Sequence, residues 1–118
     1  MSELERLIGS MKGDRRVGGI ATFTGIVRGD PGVLAVEFEL SDEMLDERLK
    51  KIADGLKGRD GIVDVLIHHN AGRLEVGDEI TRIVVAGSHR EQVLSTLRDA
   101  VDLIKQEVHE SMKEIRVE

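Results

Sequence analysis

An α+β fold with a mostly antiparallel sheet, α/β-hammerhead-like and with about three helices, is the architecture this sequence predicts. Three stretches, residues 3–12, 41–56 and 89–108, gather apolar residues on one helical face. Between them lie short runs rich in β-formers, of which residues 33–40 alternate apolar and polar. Glycine-containing turn signals, the strongest being Gly29-Asp30-Pro31-Gly32, separate runs that have no helix between them, which favours antiparallel pairing.

The first helix is announced by Ser2-Glu3-Leu4-Glu5, a capping box, with Leu4, Leu7, Ile8 and Met11 on one face and an end near Gly13. Residues 17–28 read as a strand interrupted by Gly18, Gly19 and Gly25, which signals bends or close backbone approach. In residues 33–40, Leu34, Val36, Phe38 and Leu40 face one side, and the two strands are expected to form a hairpin with a long loop. The second helix begins at Ser41 and buries Met44, Leu45, Leu49, Ile52, Ala53 and Leu56 before Gly58 and Gly61 end it. Residues 62–69 and 80–86 are strands joined by a glycine-bearing connection, residues 71–78. The last helix carries Leu94, Leu97, Val101, Ile104 and Val108 as its apolar stripe. One domain spanning residues 1–118 is expected from the length.

Composition narrows the function classes. A net charge of −6 argues against broad nucleic-acid binding, and Phe23 and Phe38 alone make no stacking platform. No apolar run approaches the roughly 20 residues of a membrane span, and MSELERLIGSMKG lacks a signal-peptide core, so no membrane partner and a cytoplasmic location are expected. Without cysteine, thiol nucleophiles and Cys-ligated metals are excluded. His68 and His69 are neighbours on a strand and point to opposite faces, so no metal site is expected. P-loop, GxGxxG and GxSxG patterns are missing, and no cofactor is implied.

Chemistry concentrates in a few cations. Ser88-His89-Arg90-Glu91 forms a second capping box, which predicts Ser88 as N-cap and His89 and Arg90 in the first helical turn. Free N–H groups and the helix dipole favour an anion there; a capped helix with a solvated arginine accounts for the same four residues. Arg28 ends a strand beside the Gly-Asp-Pro-Gly turn, where its guanidinium fork suits a phosphate or simply faces water. Lys105 follows Ile104 at the edge of the apolar stripe, a place where lysines snorkel or, partly buried near other cations, become usable bases.

Several blocks together resemble the large, catalytic subunit of molybdopterin synthase (molybdopterin-converting factor subunit 2). They are Gly19-Ile20-Ala21-Thr22-Phe23-Thr24-Gly25-Ile26-Val27-Arg28-Gly29, then Val36-Glu37-Phe38-Glu39 with Glu43-Met44. His69-Asn70-Ala71-Gly72-Arg73-Leu74-Glu75-Val76-Gly77-Asp78 follows, with Asn70 in place of an arginine. Ile83-Val84-Val85-Ala86-Gly87-Ser88-His89-Arg90 and Leu103-Ile104-Lys105 complete the collinear series over residues 17–114.

This resemblance implies a hammerhead fold and an enzyme that makes the dithiolene of molybdopterin. Its substrate would be cyclic pyranopterin monophosphate. Its sulfur would come from the C-terminal Gly-Gly thiocarboxylate of a small ubiquitin-like sulfur-carrier subunit. The large subunit would form the central homodimer of a heterotetramer, with the pocket completed across the dimer. By the same resemblance Arg28, His89 and Arg90 bind substrate, Ile26 and Val27 supply neighbouring backbone, and Lys105 is catalytic. A Pro-Ile-Trp-Lys-Lys-Glu-like segment of the family is replaced here. Met112 falls on its second functional lysine, Lys113 and Glu114 on the next two positions, and a one-residue slip would make Lys113 the catalytic substitute. Without that proline the last helix is free to run on, aligning Arg98, Lys105 and Met112. These departures leave a second reading, a non-catalytic relative that binds a sulfur carrier or anionic pterin without completing transfer.

Overall fold

The computed structural model describes residues 2–117. Its helices are α1 (Glu3–Lys12), α2 (Asp42–Lys57) and α3 (Arg90–Glu107), and its strands are β1 (Gly19–Ile26), β2 (Val33–Phe38), β3 (Ile62–His69), β4 (Gly72–Glu75), β5 (Glu79–Gly87) and β6 (Met112–Arg116). Two three-stranded antiparallel sheets result, ordered β1-β5-β3 and β4-β2-β6. The α+β class with three helices holds.

Two helices start as the sequence predicts. The Ser2 hydroxyl accepts from the Glu5 N–H at 3.1 Å, and the Ser41 hydroxyl from the Met44 N–H at 3.2 Å. Ser88 does not repeat the pattern. The N-cap of α3 is His89, whose side chain makes no capping bond, so Ser88 lies one residue too early. Its N–H is taken by the Gly61 carbonyl at 2.8 Å. A Cβ on Gly18 would lie 2.2 Å from the Ser88 carbonyl oxygen, so a side chain there would displace the chain as it enters α3.

The expected hairpin is replaced by long-range pairing. β1 pairs along its length with β5, from Gly19↔Gly87 to Ile26↔Glu79, while β2 pairs with β4 and β6. Val27 shows the cause: its N–H donates to the Asp78 carbonyl and its carbonyl accepts from Gly77, both at 2.9 Å. These bonds turn the end of β1 toward the β4–β5 connection and away from β2.

The remaining differences are local. The connection at residues 71–78 contains β4, and the last helix ends at Glu107, followed by a single 3-10 turn (His109–Ser111) and β6. Arg98, Lys105 and Met112 therefore share no helical line. A register shift between Val33 and Ala35 leaves Leu34 exposed and buries Ala35. Met44 and Leu94 are also exposed. Of the rest of the stripe expected on the last helix, Ile104 and Val108 are buried and Leu97 and Val101 partly so, with Val93, Thr96 and Ala100 buried beside them.

The core follows from β5, the central strand. Ile83 and Val85 join the cluster that includes α2, α3 and β2, while Val84 and Ala86 pack with Met11 of α1. Burial on both faces explains the continuous apolar run of β5.

Candidate active site

Chain reversal at Ser88–His89 decides which cations meet. β5 runs to Gly87, and α3 runs back over the sheet, so its last turn returns to the end where β5 begins. Antiparallel pairing brings the end of β1 to the same place, since Ile26 lies opposite Glu79. Arg28 and Lys105, remote in sequence, thereby line one cavity of about 400 Å³. Its walls include Phe23, Ile26, Ile80, Ile83, Val101 and Ile104, with Thr81 and His109 as further polar groups. A mostly apolar recess with two cations suits a slender anionic chain end.

Arg28 is held by one exposed ion pair, from its Nε to Asp30 at 2.8 Å, and its side chain keeps 85% of its exposure. Such a pair is weak and leaves most of the guanidinium fork free. Ile26 presents an exposed side chain to the cavity. Val27 is buried, and its backbone bonds to Gly77 and Asp78 leave only a second carbonyl lone pair for any ligand.

His89 and Arg90 lie elsewhere. Fifteen residues of helix, roughly 22 Å along the axis, separate Arg90 from Lys105 within one chain. Both are exposed, and Arg90 has only a loose 3.6 Å contact to Glu91. The His89 side chain makes no capping bond to the first turn of α3, and His89 and Arg90 are both exposed beside its N–H groups.

Residues 112–114 sit on β6. Met112 pairs with Phe38, Lys113 with Glu37 and Glu114 with Val36. Paired residues share a sheet face, so Met112 lies on the side of buried Phe38 and Lys113 on the opposite side. Glu114 is engaged by Arg116 at 2.8 Å. None of the three lines the Arg28–Lys105 cavity.

One cluster was not legible in the sequence. His69 is buried, while His68 on the other face of β3 is exposed. The His69 ring packs edge-on against Phe38, with centroids 4.8 Å apart, and meets His109 with Nε2 atoms 3.5 Å apart. Burial pushes His69 down to about 4, against the opposing effect of its bond to the Asn70 carbonyl. His109 is lowered as well, first by burial and then by the nearby Lys105 charge. Adjacent histidines signalled opposite faces, but nothing local announced a partner 40 residues away. Among the described residues no group of three or more His, Asp or Glu is placed to hold a metal, and no helix is long and apolar enough to cross a membrane.

Comparison with known proteins gives the family. The family described as "MoaE protein" matches residues 1–107, leaving the segment with Met112, Lys113 and Glu114 outside the match. A probable molybdopterin synthase of Haloferax volcanii is 38% identical over 113 residues, covering 89% of this chain and 43% of the relative. A molybdopterin synthase catalytic subunit of Pyrococcus abyssi is 36% identical over 94 residues, covering 77% of this chain and 64% of the relative. The chain thus spans less than two thirds of either protein's length. The solved molybdopterin biosynthesis MoaE protein of Burkholderia ambifaria superposes with a TM-score of 0.76 at 27% identity, covering 98% of this chain and 83% of that one. With the match running through α3 and its Lys105, the chain belongs to the MoaE family of molybdopterin synthase catalytic subunits.

Proposed function

We propose that this chain transfers sulfur from the C-terminal thiocarboxylate of a small ubiquitin-like carrier subunit to cyclic pyranopterin monophosphate, forming the dithiolene of molybdopterin. The single observation that carries this reading is the cavity shared by Arg28 and Lys105. Its apolar walls suit a thin glycine tail, and its two cations suit the thiocarboxylate anion. Lys105 holds the sulfur against the acceptor carbon and neutralises charge as the carbon–sulfur bond forms. His89 and Arg90, at the uncapped start of α3, hold the pterin phosphate.

The roughly 22 Å between Arg90 and Lys105 in one chain supports a site completed by a second copy, a homodimer within a heterotetramer. A cytoplasmic setting, where small carrier and pterin are both dissolved, fits this reading. No cofactor takes part.

The non-catalytic reading draws on a specific observation: Lys113 lies on the face of β6 opposite Met112, the residue that the family resemblance sets where a lysine is expected. A reconstituted assay with thiocarboxylated carrier and cyclic pyranopterin monophosphate separates the two. Molybdopterin formation that disappears in Lys105→Ala supports the synthase; tight carrier binding without product supports the non-catalytic relative.

A further inference from the structure

We propose that His109 is a catalytic general base of the Arg28–Lys105 cavity, held in its working tautomer by His69; the inference rests on the synthase reading above. Hydrogen-bond logic fixes the pair. The Asn70 carbonyl can only accept, so the His69 Nδ1 2.6 Å away carries the proton. Buried and neutral, His69 then has a bare Nε2, which can only accept. The facing His109 Nε2, 3.5 Å away in a long contact, satisfies that lone pair only as the donor. A neutral His109 consequently bears its lone pair on Nδ1.

His109 follows Lys105 by one helical turn and lines the same cavity. The ring also packs against Phe38 in a tilted arrangement, with centroids 5.4 Å apart. Titratable groups bearing on the pair are Lys105 from α3 and His68 from β3. Lys105 and burial both favour the neutral imidazole, the form that takes up a proton.

Sulfur transfer supplies the task. Attack by a thiocarboxylate sulfur on a pterin side-chain carbon forms the carbon–sulfur bond and breaks that carbon's bond to an oxygen substituent, which leaves with the bonding pair and takes a proton from solvent. The sulfur then bridges acyl group and pterin as a thioester. Release requires water. Its O–H bond breaks, the proton goes to His109 Nδ1, and the oxygen bonds to the acyl carbon. The acyl carbon–sulfur bond then breaks with its electron pair on sulfur. The pterin keeps a thiolate beside Lys105, the carrier leaves as a carboxylate once its new acid group has lost the second water proton to solvent, and His109 returns its own proton to solvent. Neither oxidant nor reductant is consumed.

The test is the reconstituted synthase assay from pH 5 to 8 with wild type, His109→Gln and Lys105→Ala, alongside imidazole 15N NMR of the unsubstituted chain. His109→Gln retains a donor toward His69 and removes the base. The expected result is a loss of about 10²-fold in kcat with KM little changed, together with disappearance of the acidic limb of the wild-type profile. The 15N shifts should report His109 protonated on Nε2 and His69 on Nδ1. Unchanged kcat and pH profile in His109→Gln, with active wild type, overturns the role of His109 alone. The opposite tautomer of His109 overturns it too, even where the variant fails to fold. Wild type that makes no product overturns the synthase reading, and the assignment of His109 falls with it.

Discussion

At its start α3 offers His89 and Arg90 to open solvent from an uncapped first turn, whereas at its end it offers Lys105 to a cavity walled by Ile26, Ile80, Ile83 and Val101. Both ends are cationic, yet they work under different physics. At the start, charge is screened by water and salt, and the helix N–H groups supply direction. At the end, Lys105 is itself exposed. Its setting differs through the apolar cavity walls and the contact of half-buried His109 with buried His69 beside it, which raise the weight of charges and lone pairs that face the cavity. The open end is suited to capture of a phosphate, and the walled end to chemistry.

The sharpest way to break this division is at Lys105. Lys105→Ala should lower molybdopterin formation by at least about 10²-fold while carrier affinity changes by less than about threefold. Turnover preserved in that variant removes the walled end from the chemistry.

Acid should act on the walled end through His69. Its folded value, about 4, lies below the ordinary 6.5, so the unfolded chain binds the extra proton first as pH falls. Stability is fully present above about pH 6.5 and declines toward pH 4, by a contribution on the order of 2–3 kcal/mol. Thermal unfolding of wild type and His69→Phe across that window reads it. A decline identical in both proteins contradicts the assignment to His69.

A smaller effect belongs to the open end. Arg90→Ala should weaken pterin binding by about tenfold, with unfolding free energy changed by less than about 0.5 kcal/mol. Wild-type affinity should fall with added salt, and Arg90→Ala should flatten that dependence. Equal affinities at low salt would refute the phosphate role.

The smallest contrast concerns helix starts. Ser41→Ala should cost about 1 kcal/mol by losing its bond to Met44, and Ser88→Ala only a few tenths. Equal losses would restore Ser88 as a cap.

These contrasts also mark what the sequence could tell. The helices and the long strands were legible because periodicity is local: Leu45, Leu49, Ile52 and Leu56 fall on the buried face of α2 as their spacing requires. Partner choice between strands is not local. Residues 17–28 and 33–40 looked like a hairpin around Gly29-Asp30-Pro31-Gly32, yet Val27 is bonded to Gly77 and Asp78. β4 and β6 are too short and polar to signal themselves, and the helix ended at Glu107 without a proline. For the site, Lys105 beside an apolar stripe and Arg28 at a strand end were readable as candidates. Their meeting depends on β1–β5 register and the reversal into α3. The His69–His109 contact depends on the same tertiary geometry, so no spacing rule could find it.

Mixing Lys105→Ala with Arg90→Ala, at a pterin concentration low enough that each alone keeps about a tenth or less of wild-type turnover, tests the central claim, that Arg90 and Lys105 serve one reaction from different copies of the chain. Lys105→Ala and Arg90→Ala would be purified separately, mixed under conditions that exchange subunits, and assayed with thiocarboxylated carrier and pterin. A shared site leaves each mixed dimer one intact pair, so activity should return to about a quarter of wild type. A mixture that exchanges subunits and rises no higher than Arg90→Ala alone would place both residues in the same chain's site and contradict the account.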